Sequence, residues 1–391
     1  MLISISLILV SGLVLGELCK KIKLPPLFGM IIAGILIGPS VLNLLDDSIL
    51  SISSDIRRIA LIIILIRAGL KLNIDDLKRV GRPAVLLCFV PACFEILGMV
   101  LLAPEFLGLS VLDSAILGAV VGAVSPAVVV PRMIKLMDEG MGTDKSIPQM
   151  ILAGASVDDV FVIVMFTAFT GMAKGEKVSI MSFVNIPISI LIGILVGVLA
   201  GVLLEILFNK AKISTLIQAV IILAVSFALN FAEGAVSFIP FAALIAIMSL
   251  GVAIKKKNEN MAKPLSNVFD KLWIPAEIFL FVLVGASVAI DSLKNAGLMS
   301  VLLVLCVLLF RMLGVFVCIL KTGLTFKEKL FTMLAYTPKA TVQAAIGGLP
   351  LAMGLDCGQI VLTVSVIAIL LTAPLGAFAI DLSYKKLLKK Q

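Results

Sequence analysis

The chain has 391 residues, of which 61% are hydrophobic and 14% charged, with a mean hydropathy of +1.21 and a net charge of +8. Soluble domains run at roughly 45–50% apolar and about 25% charged, so a water-soluble globule is excluded and lipid must be the main solvent. The basic residues come in short clusters between apolar stretches, the pattern of membrane loops rather than of a nucleic-acid-binding face.

The opening MLISISLILVSGLVLGELCKK has no basic residue before its apolar run and no small-residue cleavage site. It therefore reads as a membrane span, not a secretory leader. Crossing about 30 Å of hydrocarbon takes roughly 20 helical residues. On that measure about 13 spans follow, near 2–18, 26–44, 56–72, 83–104, 111–136, 147–173, 180–208, 213–232, 236–254, 273–290, 297–320, 329–351 and 358–382. The fold class expected is an all-α membrane protein. The hydrophilic stretch Lys255–Lys271 reads as a linker between two halves.

The loops provide a check on this division. Of the 32 Lys and Arg, only Arg57, Arg58, Lys174, Lys177 and Lys294 fall in even-numbered loops, and Arg67, Arg311 and Lys339 fall within spans. The other 24 lie in odd loops or the C-terminal tail. The positive-inside rule then puts the N-terminus outside and the C-terminus in the cytoplasm. The six cysteines form no C-x-x-C pair and mostly fall in apolar segments, where small buried hydrophobes are expected. There is no histidine, so proton chemistry falls to carboxylates, Lys or Tyr.

A charge at the bilayer centre costs about 2.5–3.5 kcal/mol on insertion scales, so the few charges within spans are the functional candidates. GASVDDVFVIVMF in span 6 sets Asp158 beside Asp159 in an otherwise apolar helix. Two carboxylates this close cannot both ionise cheaply without a cation. A site holding either protons or a hard metal ion follows, and that mutual exclusion is the minimal chemistry of an antiporter. A pair that merely bonds neighbouring helices is the structural alternative.

Two spans are interrupted by proline. Span 5 contains GAVSPAVVVP, with Ser125, Pro126 and Pro131, and span 12 contains YTPKATVQAAIGGLP, with Pro338, Lys339, Thr341 and Gln343. Broken helices at membrane depth are tolerated where they line a cavity, and transporters build midplane ion sites from them in two inverted halves. Spans 5 and 12 are seven apart, so spans 1–6 and 8–13 would be inverted repeats joined by span 7. The same offset relates Glu95 in span 4 to Arg311 in span 11, which are expected to pair. Lys339 either meets a carboxylate or neutralises half-helix carbonyls. Arg67 is expected to snorkel or make a structural contact, and Glu277 to sit at the interface or between protomers.

At these residues the chain resembles the monovalent cation:proton antiporter superfamily. Within it the match is to the subfamily with an aspartate pair whose animal members are called sodium/hydrogen exchanger 9B. The stretches that carry the resemblance are LIRAGLKL, PACFEILGMVLLA, LGAVVGAVSPAVVVPRM, GASVDDV, LLFRMLGVF, TPKATVQAAIG and LLTAPLG. It implies a homodimer in the cell membrane that exchanges Na+ or Li+ for H+ by an elevator motion and serves pH homeostasis. No cofactor is implied beyond the transported ions, and the partners implied are monovalent cations, protons and membrane lipid. The implied division is 1–82 (spans 1–3) and 211–296 (spans 8–10) as dimerisation domain, 83–179 (spans 4–6) and 297–391 (spans 11–13) as core ion domain, and 180–210 as linker helix. Asp159 would be main cation ligand and proton carrier, Asp158 would assist, and Ser125 and nearby carbonyls would be weaker ligands. Pro126, Lys339, Thr341 and Gln343 would support the broken helices, with Glu95 and Arg311 as the core ion pair.

Many bacterial relatives with an aspartate pair carry lysine where Arg311 stands, and that lysine is linked with electrogenic exchange. Arginine stays protonated, which leaves the stoichiometry open. The absence of a nucleotide-binding domain after span 13 argues against the glutathione-gated potassium efflux relatives. Potassium/proton exchange and sodium-coupled symport of an organic anion are the alternatives, the first because ligand type is more legible than cavity size. A non-transporting scaffold gives no reason for the aspartate pair, and no enzyme motif is present.

Overall fold

An apolar segment in lipid must satisfy its own backbone, and a helix does so within one segment. The computed structural model describes residues 1–22, 24–72, 81–174, 180–235, 242–288 and 290–391, and these are helical apart from short connections. In chain order the helices are α1 (Leu2–Lys21), α2 (Pro26–Ile37), α3 (Asp47–Ser51), α4 (Ser53–Lys71), α5 (Arg82–Leu87), α6 (Val90–Leu107), α7 (Val111–Val121), α8 (Pro126–Asp138) and α9 (Ile147–Ala173). They continue with α10 (Ile180–Ala211), α11 (Thr215–Ala235), α12 (Ala243–Lys257), α13 (Glu259–Ala286), α14 (Ile290–Cys318), α15 (Phe326–Ala335), α16 (Thr341–Ile346), α17 (Leu349–Ala352) and α18 (Gly358–Leu387).

Among the described residues, eight helical stretches are long and apolar enough to cross a membrane: Leu2–Lys21, Arg82–Leu107, Val111–Asp138, Ile147–Ala173, Ile188–Ala211, Thr215–Glu233, Gly297–Cys318 and Gly358–Leu387. Pro26–Ile37 and Thr341–Ala352 are apolar but shorter. The protein is thus a multi-pass membrane protein. The spans expected near 56–72, 236–254 and 273–290 fall on α4, α12 and α13 and are not among the eight. Arg57, Arg58 and Arg67 interrupt the first, and α12 runs into Lys255, Lys256 and Lys257. The first half of α13, from Glu259 to Lys271, is rich in charge. Lys23, Lys78, Arg79, Lys177 and the start of the 236–254 span lie outside the described residues.

One expectation is corrected. Arg57 was read as a loop residue, but α4 begins at Ser53, and Arg57 lies in its second turn with 5% of its surface exposed. The connection before it is itself helical, as α3, so the helix starts earlier than hydropathy alone indicates.

The chain forms two compact units. One comprises Arg58–Asn73 and Lys174–Glu277. Within it α10 lies against α12 through Gly193, Gly197 and Gly201, where a Cβ would collide with the carbonyls of Ala242, Ala246 and Leu250. Small residues at four-residue spacing allow the backbones this approach, which is how helices gain packing energy where lipid removes the hydrophobic drive. Arg67 and Lys71 share Asp270, Lys71 at 2.6 Å, and Lys257 pairs with the buried Glu205 at 2.8 Å. Arg67 therefore makes a structural ion pair, and Glu277 accepts a hydrogen bond from Trp273 in the same unit.

The other unit comprises Met1–Arg57, Ile74–Ala173 and Ile278–Gln391. Its interior is formed by α6, α7, α9, α14 and α18 and by the two interrupted helices. At one end the connection from α8 to α9 is tied down on two sides. The Gly142 N–H donates to the Lys389 carbonyl at 2.8 Å, and the Gln391 N–H donates to Gly140 at 2.9 Å. Lys145 reaches the buried Glu328 at 2.8 Å, beside the capping box that Glu328 completes with Thr325.

Burial alone would raise the Glu328 carboxyl, but hydrogen bonds from Lys145 and from Thr325 outweigh it and hold Glu328 below the ordinary glutamate range. A carboxylate depressed in the folded state stabilises above its unfolded pKa, about 4.3, and that contribution is lost as pH falls through the folded value. Thermal unfolding of the Lys145→Gln protein should therefore show lower stability than wild type at pH 7. The difference between the two should shrink as the pH is taken below about 4; a constant difference across that range counts against this pairing.

Candidate cation site

The first interruption follows from proline chemistry. Pro126 has no N–H to donate, and its ring pushes the preceding residue out of helical conformation. Ser125 is accordingly extended, with φ −85° and ψ 111°. Helix α7 therefore stops at Val121, and α8 starts at Pro126. Pro338 does the same between α15 and α16, leaving residues 336–340 non-helical.

Each interruption exposes backbone groups that lipid cannot satisfy, and the two interruptions satisfy each other. The Ser125 N–H donates to the Pro338 carbonyl at 2.7 Å. The Gln343 side-chain amide donates to the carbonyls of Val121 and Ala123, both at 3.1 Å. Arg311 donates through Nε to the Tyr336 carbonyl at 2.7 Å and through Nη1 to the Gly122 carbonyl. The Lys339 N–H donates to the Thr372 hydroxyl of α18 at 3.0 Å. The residues read from sequence as broken-helix support, Pro126, Lys339, Thr341 and Gln343, all lie at this crossing.

Four charged side chains make one buried network around it. Arg311 Nη1 lies 2.8 Å from Glu95, and its Nη2 lies 2.6 Å from Asp158. Lys339 Nζ lies 2.7 Å from the Glu95 carboxylate. Asp158 also accepts the Val124 N–H of the first interruption at 2.8 Å. These side chains are 0–1% exposed. Two carboxylates therefore face two cations, and the group is neutral. The sequence reading named Glu95 and Arg311 as a pair; it did not foresee that Arg311 also holds Asp158, nor that Lys339 shares Glu95. Proline followed by lysine at the second interruption was the one available signal for the latter.

Asp159 stands outside this balance. It is 8% exposed, and its Oδ1 has no hydrogen-bond partner among the described residues. The same holds for Asp158 Oδ1, Ser125 Oγ, Thr341 Oγ1 and Gln343 Oε1, all buried. Carboxylate, hydroxyl and amide oxygens are the ligands that hard cations take. Among the described residues no group of three or more His, Cys, Asp or Glu is placed to hold a metal ion. The chemistry on offer is therefore a buried carboxylate outside the ion pairs, with further unpartnered oxygens on Ser125, Thr341 and Gln343 of the two interruptions.

A family model described as sodium/hydrogen exchanger, transmembrane, matches residues 5–382. The chain belongs to the sodium/hydrogen exchanger family. Within the family it is similar to sodium/hydrogen exchanger 9B2 of Xenopus tropicalis, at 34% identity over 100% of this chain and 75% of that protein. The human 9B2 protein is 32% identical over 98% of this chain and 73% of its own length, and human sodium/hydrogen exchanger 9B1 is 31% identical over 100% and 78%. The structure of the sodium proton antiporter MjNhaP1 from Methanocaldococcus jannaschii at pH 8 matches with a TM-score of 0.86. That match covers 98% of this chain and 97% of that one at 22% identity, and so speaks to the fold. The resemblance read from the aspartate pair and the interrupted spans is borne out: this family member is a transporter of the 9B-like group, not an enzyme.

Proposed function

We infer that the protein exchanges Na+ or Li+ for H+ across the cell membrane. The observation that carries this reading is Asp159, a buried carboxylate next in sequence to Asp158 of the ion-pair network, whose Oδ1 has no hydrogen-bond partner among the described residues. Protonated, Asp159 is neutral and tolerable in low dielectric; ionised, it needs a cation. One site thus serves two ions in turn. Arg311 stays protonated and is held by two carboxylates, so Asp159 is the single carrier and exchange is one for one. Ser125, Thr341 and Gln343 contribute neutral oxygens, and Asp158 positions the crossing through Arg311 and Val124.

The family likeness supports the further reading of about 13 spans in two inverted repeats, with the N-terminus outside and the C-terminus in the cytoplasm. On that reading the protein is a homodimer, residues 1–82 and 211–296 form the dimerisation domain, and 83–179 and 297–391 form a core that moves as an elevator.

The test is proton flux in proteoliposomes with an imposed pH gradient, adding sodium, lithium and potassium in turn, with and without valinomycin to clamp the potential. Dissipation by sodium and lithium, unaltered by the clamp, is expected. Dissipation by potassium alone would overturn the selectivity, a response to the clamp would overturn the one-for-one ratio, and no response to any cation would overturn the exchange itself.

A further inference from the structure

Among the described residues, Arg57 is a third buried cation of the unit that holds the site, and the one without a counter-charge there. Arg311 and Lys339 each meet a carboxylate within 2.8 Å. Arg57 is 5% exposed, and its Nε makes a long bond to the Ser53 carbonyl at 3.3 Å. Its Nη1 has no hydrogen-bond partner among the described residues. No charged group of the described residues acts on it, and Asp55, two residues earlier in α4, is exposed.

The guanidinium is seated on the second interrupted helix. A Cβ at Gly348 would lie 2.8 Å from Arg57 Nη2 and 3.0 Å from Cζ, with Nη1 closer still. Only glycine admits this seat. With no counter-charge among the described residues, the guanidinium keeps an unbalanced positive charge against this segment. Gly348 is seven residues from Thr341, about 10 Å along a helix at 1.5 Å per residue.

A carrier must keep its cation from reaching the site from both sides at once, or it leaks. We propose that Arg57 is a fixed positive barrier on one approach to the cation site, held against α16 by the bare α-carbon of Gly348. A unit charge about 10 Å away, at an effective dielectric of about 20, disfavours a passing cation by about 15-fold. Arginine suits the task because it keeps its charge when buried. A purely structural arginine would be paired, since an unpaired buried charge is costly. The inference rests on the cation-exchange reading of the site.

The experiment is potential-driven uptake of radioactive sodium into proteoliposomes at equal pH on both sides, using the full chain and a potassium diffusion potential set by valinomycin. Wild-type uptake should be low. Arg57→Gln should raise it about tenfold or more while pH-driven sodium/proton exchange continues. Gly348→Ala, which displaces the guanidinium without removing it, should leak as Arg57→Gln does, and it decides the matter if Arg57→Gln does not fold. An Arg57→Gln protein that exchanges with no added uptake overturns the barrier, as does a leak-free Gly348→Ala protein. If wild-type protein shows no sodium-dependent proton flux, the exchange reading fails first and the barrier falls with it.

Discussion

Replacing Asp159 by Asn is expected to lower cation-driven proton flux at least 100-fold while leaving the protein folded. The two side chains have nearly the same shape, so packing around α9 is kept. The change removes the one carboxylate that the Glu95, Asp158, Arg311 and Lys339 network does not balance. A cation would then lose its counter-charge, and the proton its carrier. Stability should move the other way, because a buried carboxylate without a partner costs free energy. The melting temperature of Asp159→Asn should match or exceed wild type in the absence of sodium. Sodium should raise the wild-type melting temperature by mass action and leave that of the variant unmoved. Asp158→Asn separates the two carboxylates: it takes a partner from Arg311 and weakens the bond from Val124, so it should lower stability as well as flux. Sodium-driven flux retained by Asp159→Asn, in protein that melts normally, would sink the site assignment.

The parts of this site that sequence displays are those set by local chemistry. Pro126 and Pro338 mark the two interruptions because proline has no N–H to donate and disfavours helix before it, although Pro104, Pro131, Pro264, Pro275 and Pro374 lie within continuous helices. The aspartate pair is visible because apolar helices carry few charges. Hydropathy located the long spans, but it placed the start of α4 three residues late, and the charge count put Arg57 with the loops although it lies inside the helix. The network was only half legible. Arg311 reaches Glu95 across 216 positions and Asp158 across 153, and Lys339 reaches Glu95 across 244. Such contacts have no period in the sequence; they are decided by how helices cross. The offset of seven expected spans suggested the Glu95–Arg311 pair, which the structure shows, but it was silent on Asp158 and Lys339. Gln343 was named as support for the second interruption, but its bonds to the carbonyls of the first could not be read, since nothing local says which helix end it will meet.

Glu95→Ala is expected to be the most destabilising single change in the network. Glu95 is shared by Arg311 and Lys339, at 2.8 and 2.7 Å, and all three side chains are buried. Without it two buried cations face the single carboxylate of Asp158. Removing one partner of a buried pair typically costs about 3–5 kcal/mol, because the charge left behind is uncompensated. In a thermal melt that should appear as a drop of several degrees, and the drop should be partly reversed in Glu95→Ala/Lys339→Met. The double variant restores one cation against one carboxylate and replaces the lysine stem with apolar volume. Arg311 is the wrong residue to remove in such a pairing test, since it also holds the carbonyls of Gly122 and Tyr336, and its loss would loosen both interruptions at once. Equal melting temperatures for the single and double variants would show that Lys339 and Glu95 are not energetically coupled. Coupling, if found, bears on transport as well as on stability. On the exchange mechanism proposed above, a network that stays paired would leave Asp159 to carry the proton, the case in which one proton moves for one cation.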